Sequence, residues 1–238
     1  MIKTVLFDLD GTLLPQDAEV FTKGYFKALS AWLAPYGYKP DELVNGVLRG
    51  LDAMVVNDGT ASNADVFWRE ISRVIGDKVY GDIPKFDAFY AGDGFGELKK
   101  LCSPNKYVPE LINYIKTLGA TLVVATNPVF PMIAQKRRID WSGAGVENFA
   151  LVTAYEDSHF CKPNTAYYKE ILDKLGGSAA ETLMIGNDMT EDMCARDIGM
   201  NVFLLTNCLI NRRGRNVNDY PHGGFDELNI YVGKLFDA

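Results

Sequence analysis

Five short runs of mostly branched, apolar and aromatic residues recur along this chain: Thr4 to Phe7, Thr121 to Ala125, Phe149 to Thr153, Thr182 to Ile185 and Val202 to Leu205. Strands that alternate with crossover helices specify a parallel sheet. The intervening segments carry apolar residues at spacings of three and four, predicting helices over Val108 to Leu118, Thr165 to Leu175 and Glu191 to Ile198. Gly119, Gly176 and Gly199 follow them as C-terminal caps, and Asn164 and Thr190 stand at N-cap positions. The stretch between the first and second runs is too long for one crossover. Residues 16–105 are expected to form a helical domain of their own, with Val20, Phe21, Tyr25, Leu29, Trp32 and Leu33 on one apolar face and further helices over 43–55 and 66–75. Gly92, Gly94 and Gly96 precede the return to the sheet and read as a hinge or turn. Glu97 stands where a dinucleotide loop would need its third glycine. The expected fold is thus α/β: a parallel-sheet core from residues 1–15 and 106–238, with a mostly α-helical insertion.

Composition fits a globular chain, with 47% hydrophobic and 23% charged residues in 238. No apolar run approaches the ~20 residues of a membrane span, and Met1 to Asp10 lacks the pattern of a signal peptide. A cytoplasmic protein is expected. The net charge of −7 disfavours nucleic acid as a partner. The one basic cluster, Arg212, Arg213 and Arg215, reads as a solvated loop. Cys102, Cys161, Cys194 and Cys208 have no paired spacing and are expected to be free thiols.

Chemistry concentrates where the runs end. Asp8-Leu9-Asp10-Gly11-Thr12 closes the first run, with two carboxylates at i and i+2 on one side of the chain and Leu9 on the other. Two anions held so close call for a cation between them. A calcium loop beginning at Asp8 would put Leu13 at its sixth position, where glycine is required. The second run ends in Thr126-Asn127, Lys162 follows the third in Lys162-Pro163-Asn164, and the fourth leads into Gly186-Asn187-Asp188-Met189-Thr190-Glu191-Asp192. Each feature alone has an ordinary structural use as a cap, a turn or a solvated charge. Their shared position is what singles them out, because ligands of open parallel sheets collect at the carboxyl ends of the strands.

In that order these four segments resemble the four motifs of the haloacid dehalogenase superfamily, and the resemblance spans the chain. It implies a Rossmann-like core with residues 16–105 as a helical cap domain. It also implies a phosphatase: Asp8 as nucleophile, Asp10 as acid and base, and Thr126, Asn127 and Lys162 as phosphate-binding groups, with Thr126 and Lys162 also catalytic. Mg²⁺ is the implied cofactor, held by Asp8, the main-chain carbonyl of Asp10, Asp188 and Asp192. Many members have Gly-Asp where this chain has Gly186-Asn187, while some mutase-like members carry their acid one place later. The resemblance therefore makes Asp188 the metal ligand, and leaves open whether Asn187 is an accessory.

An acid at position 10 favours phosphoryl transfer over dehalogenation, since a leaving halide needs no proton, whereas a leaving alcohol does. The substrate implied is a small phosphorylated metabolite. A phosphomutase using the same residues, or a non-catalytic interaction module on the same fold, are the alternatives. Arg49, Trp68, Arg69 and Lys85 in the insertion are candidates for leaving-group contacts, and neither oligomeric state nor substrate is legible. His159 and His222 read as surface or loop residues.

Overall fold

The computed structural model describes residues 1–237. Six strands form one sheet in the order β3-β2-β1-β4-β5-β6, each pair parallel. They are β1 (Thr4–Phe7), β2 (Thr121–Val124), β3 (Leu151–Val152), β4 (Thr182–Gly186), β5 (Asn201–Leu205) and β6 (His222–Gly223). The inner strands β1 and β4 are buried along their whole length. That is why they read as unbroken apolar runs rather than alternating ones. The third predicted strand shrinks to two residues, and β6 was not expected: its sequence, His222–Gly223, has no β signal and pairs only as an edge.

The register aligns the strand ends. Phe7 lies beside Val124 on one side and Ile185 on the other, so Asp8, Ala125 and Gly186 emerge together. After β1 the chain builds β2 and β3 to one side, then crosses to start β4 on the other. The gap beside β1 is therefore a topological switch point, where a crevice opens at the carboxyl ends.

Between β1 and β2 the chain forms α1 (Ala18–Leu33), α2 (Pro40–Val55), α3 (Asn63–Ile75), α4 (Lys78–Ala91) and α5 (Asp93–Gly96), then α6 (Tyr107–Thr117) leads into the sheet. Asp17 caps α1 by accepting from the amides of Glu19 and Val20, and Ser62 caps α3 through Asp65 N. Phe21, Tyr25, Leu29 and Leu33 form the buried face of α1, while Val20 points outward.

The expected hinge at Gly92 to Gly96 is instead helix α5. Arg137 Nη1 clamps its start, donating to the carbonyls of Tyr90 at 2.8 Å and Gly92 at 2.6 Å. A Cβ on Gly94 would sit 2.7 Å from Phe89, so these glycines serve close packing rather than loose linkage. The inserted helices also meet the core through Tyr25 against Phe130 (ring centroids 5.3 Å) and Phe95 stacked on Trp141 (5.1 Å). Backbone bonds join them as well, from Asn63 N to Ser158 O and from Ala64 N to Tyr155 O, both 2.8 Å.

The remaining helices are α7 (Met132–Ser142), α8 (Thr165–Leu175) and α9 (Phe225–Asp237). Asn164 caps α8 as expected, its side chain accepting from Ala166 N. The predicted helix at 191–198 is a 3₁₀ helix over Met193–Ile198, and Thr190 does not cap it. No helix among the described residues is long and apolar enough to cross a membrane.

Candidate active site

Asp8 stands one residue past β1 and is buried, with its amide bonded to Ile185 O at 2.9 Å. Lys162 Nζ reaches it from the loop before α8, donating to Asp8 Oδ1 at 2.9 Å and to Asp192 Oδ1 at 2.6 Å. Lys162 and Asp192 are each 1% exposed. Burial pulls the Lys162 ammonium down, but the two carboxylates more than offset it and hold the group well above its ordinary value. Burial pushes the Asp8 carboxyl up to about 7 against the opposing pull of Lys162, and burial likewise raises Asp192. One cation for two buried carboxylates leaves a net negative charge at the end of β1.

That imbalance has a measurable consequence. A carboxyl raised from 3.8 to about 7 on folding leaves the folded state favoured at low pH, and this contribution is lost as pH rises through about 7. With divalent metal chelated, Asp8→Asn should therefore unfold at a higher temperature than the parent at pH 8, and the advantage should disappear near pH 4. An equal or lower midpoint at pH 8 would mean that Asp8 carries no such strain.

Asp192 spends both oxygens inside the protein, Oδ1 on Lys162 and Oδ2 on the amide of Asp188 at 2.8 Å. It positions Lys162 and the β4 loop, and its side chain is 1% exposed, against 9% for Asp188 and 12% for Asp8, so it is the most enclosed of the expected metal ligands. Gly186 permits this closeness, since a Cβ there would fall 2.2 Å from the Asp192 carboxylate. Asn187 is committed in the same way: Oδ1 accepts from Thr12 Oγ1 at 3.0 Å and Nδ2 donates to Cys208 O at 2.7 Å. It ties the Asp8 loop to the 208 loop. Gly11, at φ +81°, passes so close that a Cβ would lie 2.3 Å from Asn187 Nδ2.

Asp188 follows β4 directly beyond Gly186-Asn187, with its side chain 9% exposed. Its Oδ1 accepts from the amides of Thr190 (2.7 Å) and Glu191 (3.0 Å), and Oδ2 meets Arg212 Nη1 at 3.1 Å. Arg212 thus reaches the site's edge and Arg215 donates to Met189 O at 3.2 Å, while Arg212, Arg213 and Arg215 are all exposed, as expected of a solvated loop. Among the described residues no three Asp, Glu, His or Cys side chains gather as a metal cage. The donors that remain are Asp188, the second oxygen of Asp8, which has no protein partner among the described residues, and the Asp10 carbonyl. This sparse all-oxygen set fits Mg²⁺, which keeps several waters and takes substrate oxygens, better than a metal needing a full protein shell.

Thr126 is buried at the end of β2. Its carbonyl accepts from Thr153 Oγ1 (2.7 Å) and Tyr167 OH (2.9 Å), and its own hydroxyl has no protein partner among the described residues. Asn127 Oδ1 accepts from Lys162 N at 3.2 Å and Nδ2 donates one hydrogen to Glu191 Oε2 at 3.2 Å, so it joins the two loops.

Asp10 lies apart from this cluster, toward the inserted helices, with its side chain 40% exposed. Its Oδ1 accepts from Gln16 Nε2 at 2.6 Å and pairs with Arg138 Nη2. Arg138, on α7, is 1% exposed, lies over the rings of Phe130 (4.8 Å) and Phe21 (5.7 Å), and donates to Gln135 Oε1 at 3.0 Å. Sequence reading missed both the helix and the arginine, because the buried face of α7 carries Gln135, Arg138 and Ser142 and shows no apolar periodicity. Of the expected leaving-group contacts, Lys85 pairs with Asp82 and Trp68 packs on Phe86 at 5.0 Å. None of Arg49, Trp68, Arg69 and Lys85 lines the cavity beside Asp10. His159 bonds Glu170 and lies outside the site.

Residues 2–196 match the family model of haloacid dehalogenase-like hydrolases, and the chain belongs to that family. It is 25% identical to a phosphoglycolate phosphatase of Agrobacterium fabrum over 192 residues, 81% of this chain and 75% of that one. Among solved structures it resembles a 2-haloacid dehalogenase of Pseudomonas syringae (TM-score 0.68, 20% identity, 99% and 100% of the two chains). It also resembles a HAD phosphatase of Thermococcus onnurineus (TM-score 0.61, 19% identity, 98% of each chain).

Proposed function

We propose that this protein is a Mg²⁺-dependent phosphatase that hydrolyses a small phosphate monoester through an aspartyl-phosphate on Asp8. The observation that carries the reading is the division of labour between its two strand-end acids. Asp8 has one oxygen pinned by Lys162 and the other unpartnered, while Asp10, two residues on, is held apart by Gln16 and Arg138 and keeps one oxygen without a protein partner among the described residues. A dehalogenase has no use for the second acid; a phosphatase needs it for the leaving alcohol.

In the first step an oxygen of Asp8 bonds to phosphorus, the bond from phosphorus to the ester oxygen breaks, and protonated Asp10 gives that oxygen its proton. In the second, Asp10 takes a proton from water whose oxygen attacks phosphorus, and the bond to Asp8 breaks to release phosphate. Lys162 steadies Asp8 throughout, and the Thr126 hydroxyl is free to donate to a phosphoryl oxygen. When bound by Asp8, Asp188 and the Asp10 carbonyl, Mg²⁺ would offset the charge of the carboxylate and phosphoryl group. Residues 16–105 serve as the cap over the leaving group. Four free thiols are compatible with a reducing cytoplasm.

Phosphate release from a panel of monoesters, with Mg²⁺ and with chelator, tests the reading. Activity that survives complete chelation would overturn the metal requirement, and release of halide from haloacids without phosphatase activity would overturn the reaction class. Asp188 offers a charged carboxylate where Asn187 offers a neutral amide bridging Thr12 and Cys208, so Asp188→Ala should raise the Mg²⁺ concentration for half-activation by at least about tenfold. Asn187→Ala should shift it less and lower thermal stability instead. The reverse order in Mg²⁺ titrations would place the ligand at Asn187.

A further inference from the structure

Beside Asp10, between α1, α2 and α3 on one side and the β2–α7 loop on the other, lies a cavity of about 240 Å³. Its walls include Tyr25, Leu51, Phe67, Tyr90, Phe130 and Tyr155. Resting on the phosphatase reading, we infer that this cavity takes the leaving group and that the substrate is the phosphate ester of a small apolar alcohol, best a single aromatic ring on a short chain.

The walls are mainly aromatic and aliphatic, and most of their polar side chains are bonded within the protein. Tyr25 and Tyr90 bond each other through their hydroxyls at 2.8 Å, and their rings lie against Phe89, Phe95 and Phe130. Gln16 donates to Asp10 and accepts from Cys102 Sγ at 3.3 Å. Arg138, the cation among the lining residues, pairs with Asp10 and Gln135 and is covered by Phe21 and Phe130, and its one unpartnered donor, Nε, is buried. Thr22 is exposed at the mouth. A sugar or glycerol would find few partners for its hydroxyls on these walls, and a glycolate carboxylate would meet a cation already paired with Asp10. An apolar ring meets neither cost and gains edge contacts with the aromatic walls.

Size sets the upper limit. A cavity of about 150 Å³ lined by apolar side chains takes benzene, so about 240 Å³ takes a ring with a short side chain but not a nucleoside. Asp10 lines the same cavity, which places the proton donor at the end where the ester oxygen must lie. The reaction is simple hydrolysis: the bond from phosphorus to the ester oxygen breaks, the alcohol leaves with a proton, and water supplies the new oxygen of phosphate.

The test compares kcat/KM of the wild-type protein with Mg²⁺ on 2-phenylethyl phosphate, phosphoglycolate, glycerol 3-phosphate and acetyl phosphate. Burial of one ring predicts about a 100-fold preference for the aromatic ester over phosphoglycolate. Leu51→Trp, which fills the cavity from α2, should cut that ratio at least tenfold. Turnover of acetyl phosphate with phosphoglycolate or glycerol 3-phosphate equal to or better than the aromatic ester would overturn the inference and leave the phosphatase reading intact. So would a Leu51→Trp ratio equal to that of wild type in a variant with unchanged thermal midpoint. Failure on all four esters, acetyl phosphate included, would overturn the phosphatase reading and the inference with it.

Discussion

Asp8→Asn is expected to lower phosphate release by at least about 10⁴-fold, because an amide oxygen cannot displace an alcohol from phosphorus and no neighbouring group can take its place. Asp192 is sealed behind Lys162 and Asp188 is held by two amides and Arg212, so neither can stand in as nucleophile. Asp10→Asn should behave differently. With an aryl phosphate, whose leaving group needs no proton, it should accept the phosphoryl group on Asp8 and then stall, since no base remains to activate water. Intact mass of the acid-quenched proteins separates the two: a phosphorylated species in Asp10→Asn, none in Asp8→Asn. Near-normal metal-dependent turnover by Asp8→Asn, freed of contaminating phosphatases, would end the covalent mechanism.

The parts of this site legible in the sequence are those carried by strands. Val5 to Phe7 and Thr182 to Ile185 have short, uninterrupted β signals, and parallel pairing then delivers Asp8 and the 186–192 loop to one edge with no further information. What the sequence could not show is how side chains spend their bonds. Asn127, Asn187 and Asp192 occupy motif positions, yet each also braces the surrounding loops, because buried polar atoms at the end of a sheet must find acceptors and donors close by. The converse failure is Arg138. A buried arginine on a helix with a polar inner face looks like a solvated charge until Phe21 and Phe130 are seen to cover it and Asp10 to neutralise it. Sequence patterns locate apolar faces; they do not report that a guanidinium has been made part of one. The basic cluster is exposed as its sequence suggests, but the contact of Arg212 with Asp188 was not legible, since only the β4 loop brings the two together.

Lys162→Met should cost stability as well as activity. The ammonium is the close cation for both Asp8 and Asp192, and removing one member of a buried ionic cluster leaves charge without compensation, a loss of about 3–5 kcal/mol. Methionine keeps the stem's volume beside Tyr167, so the effect isolates the charge. The pH dependence follows from the sign of the shifts. Both carboxyls are already raised by burial, and without Lys162 they rise further, so protonation relieves the variant as pH falls and ionisation penalises it as pH climbs. Denaturant unfolding of wild type and Lys162→Met should therefore diverge most at pH 8 and converge toward pH 5. Adding Asp8→Asn to Lys162→Met should restore part of the loss at pH 8, because one of the two stranded carboxylates is gone. A loss that stays constant from pH 5 to 8, or no recovery in the double variant, would show that Lys162 stabilises the fold by packing alone, and the charge balance assigned to the end of β1 would be wrong.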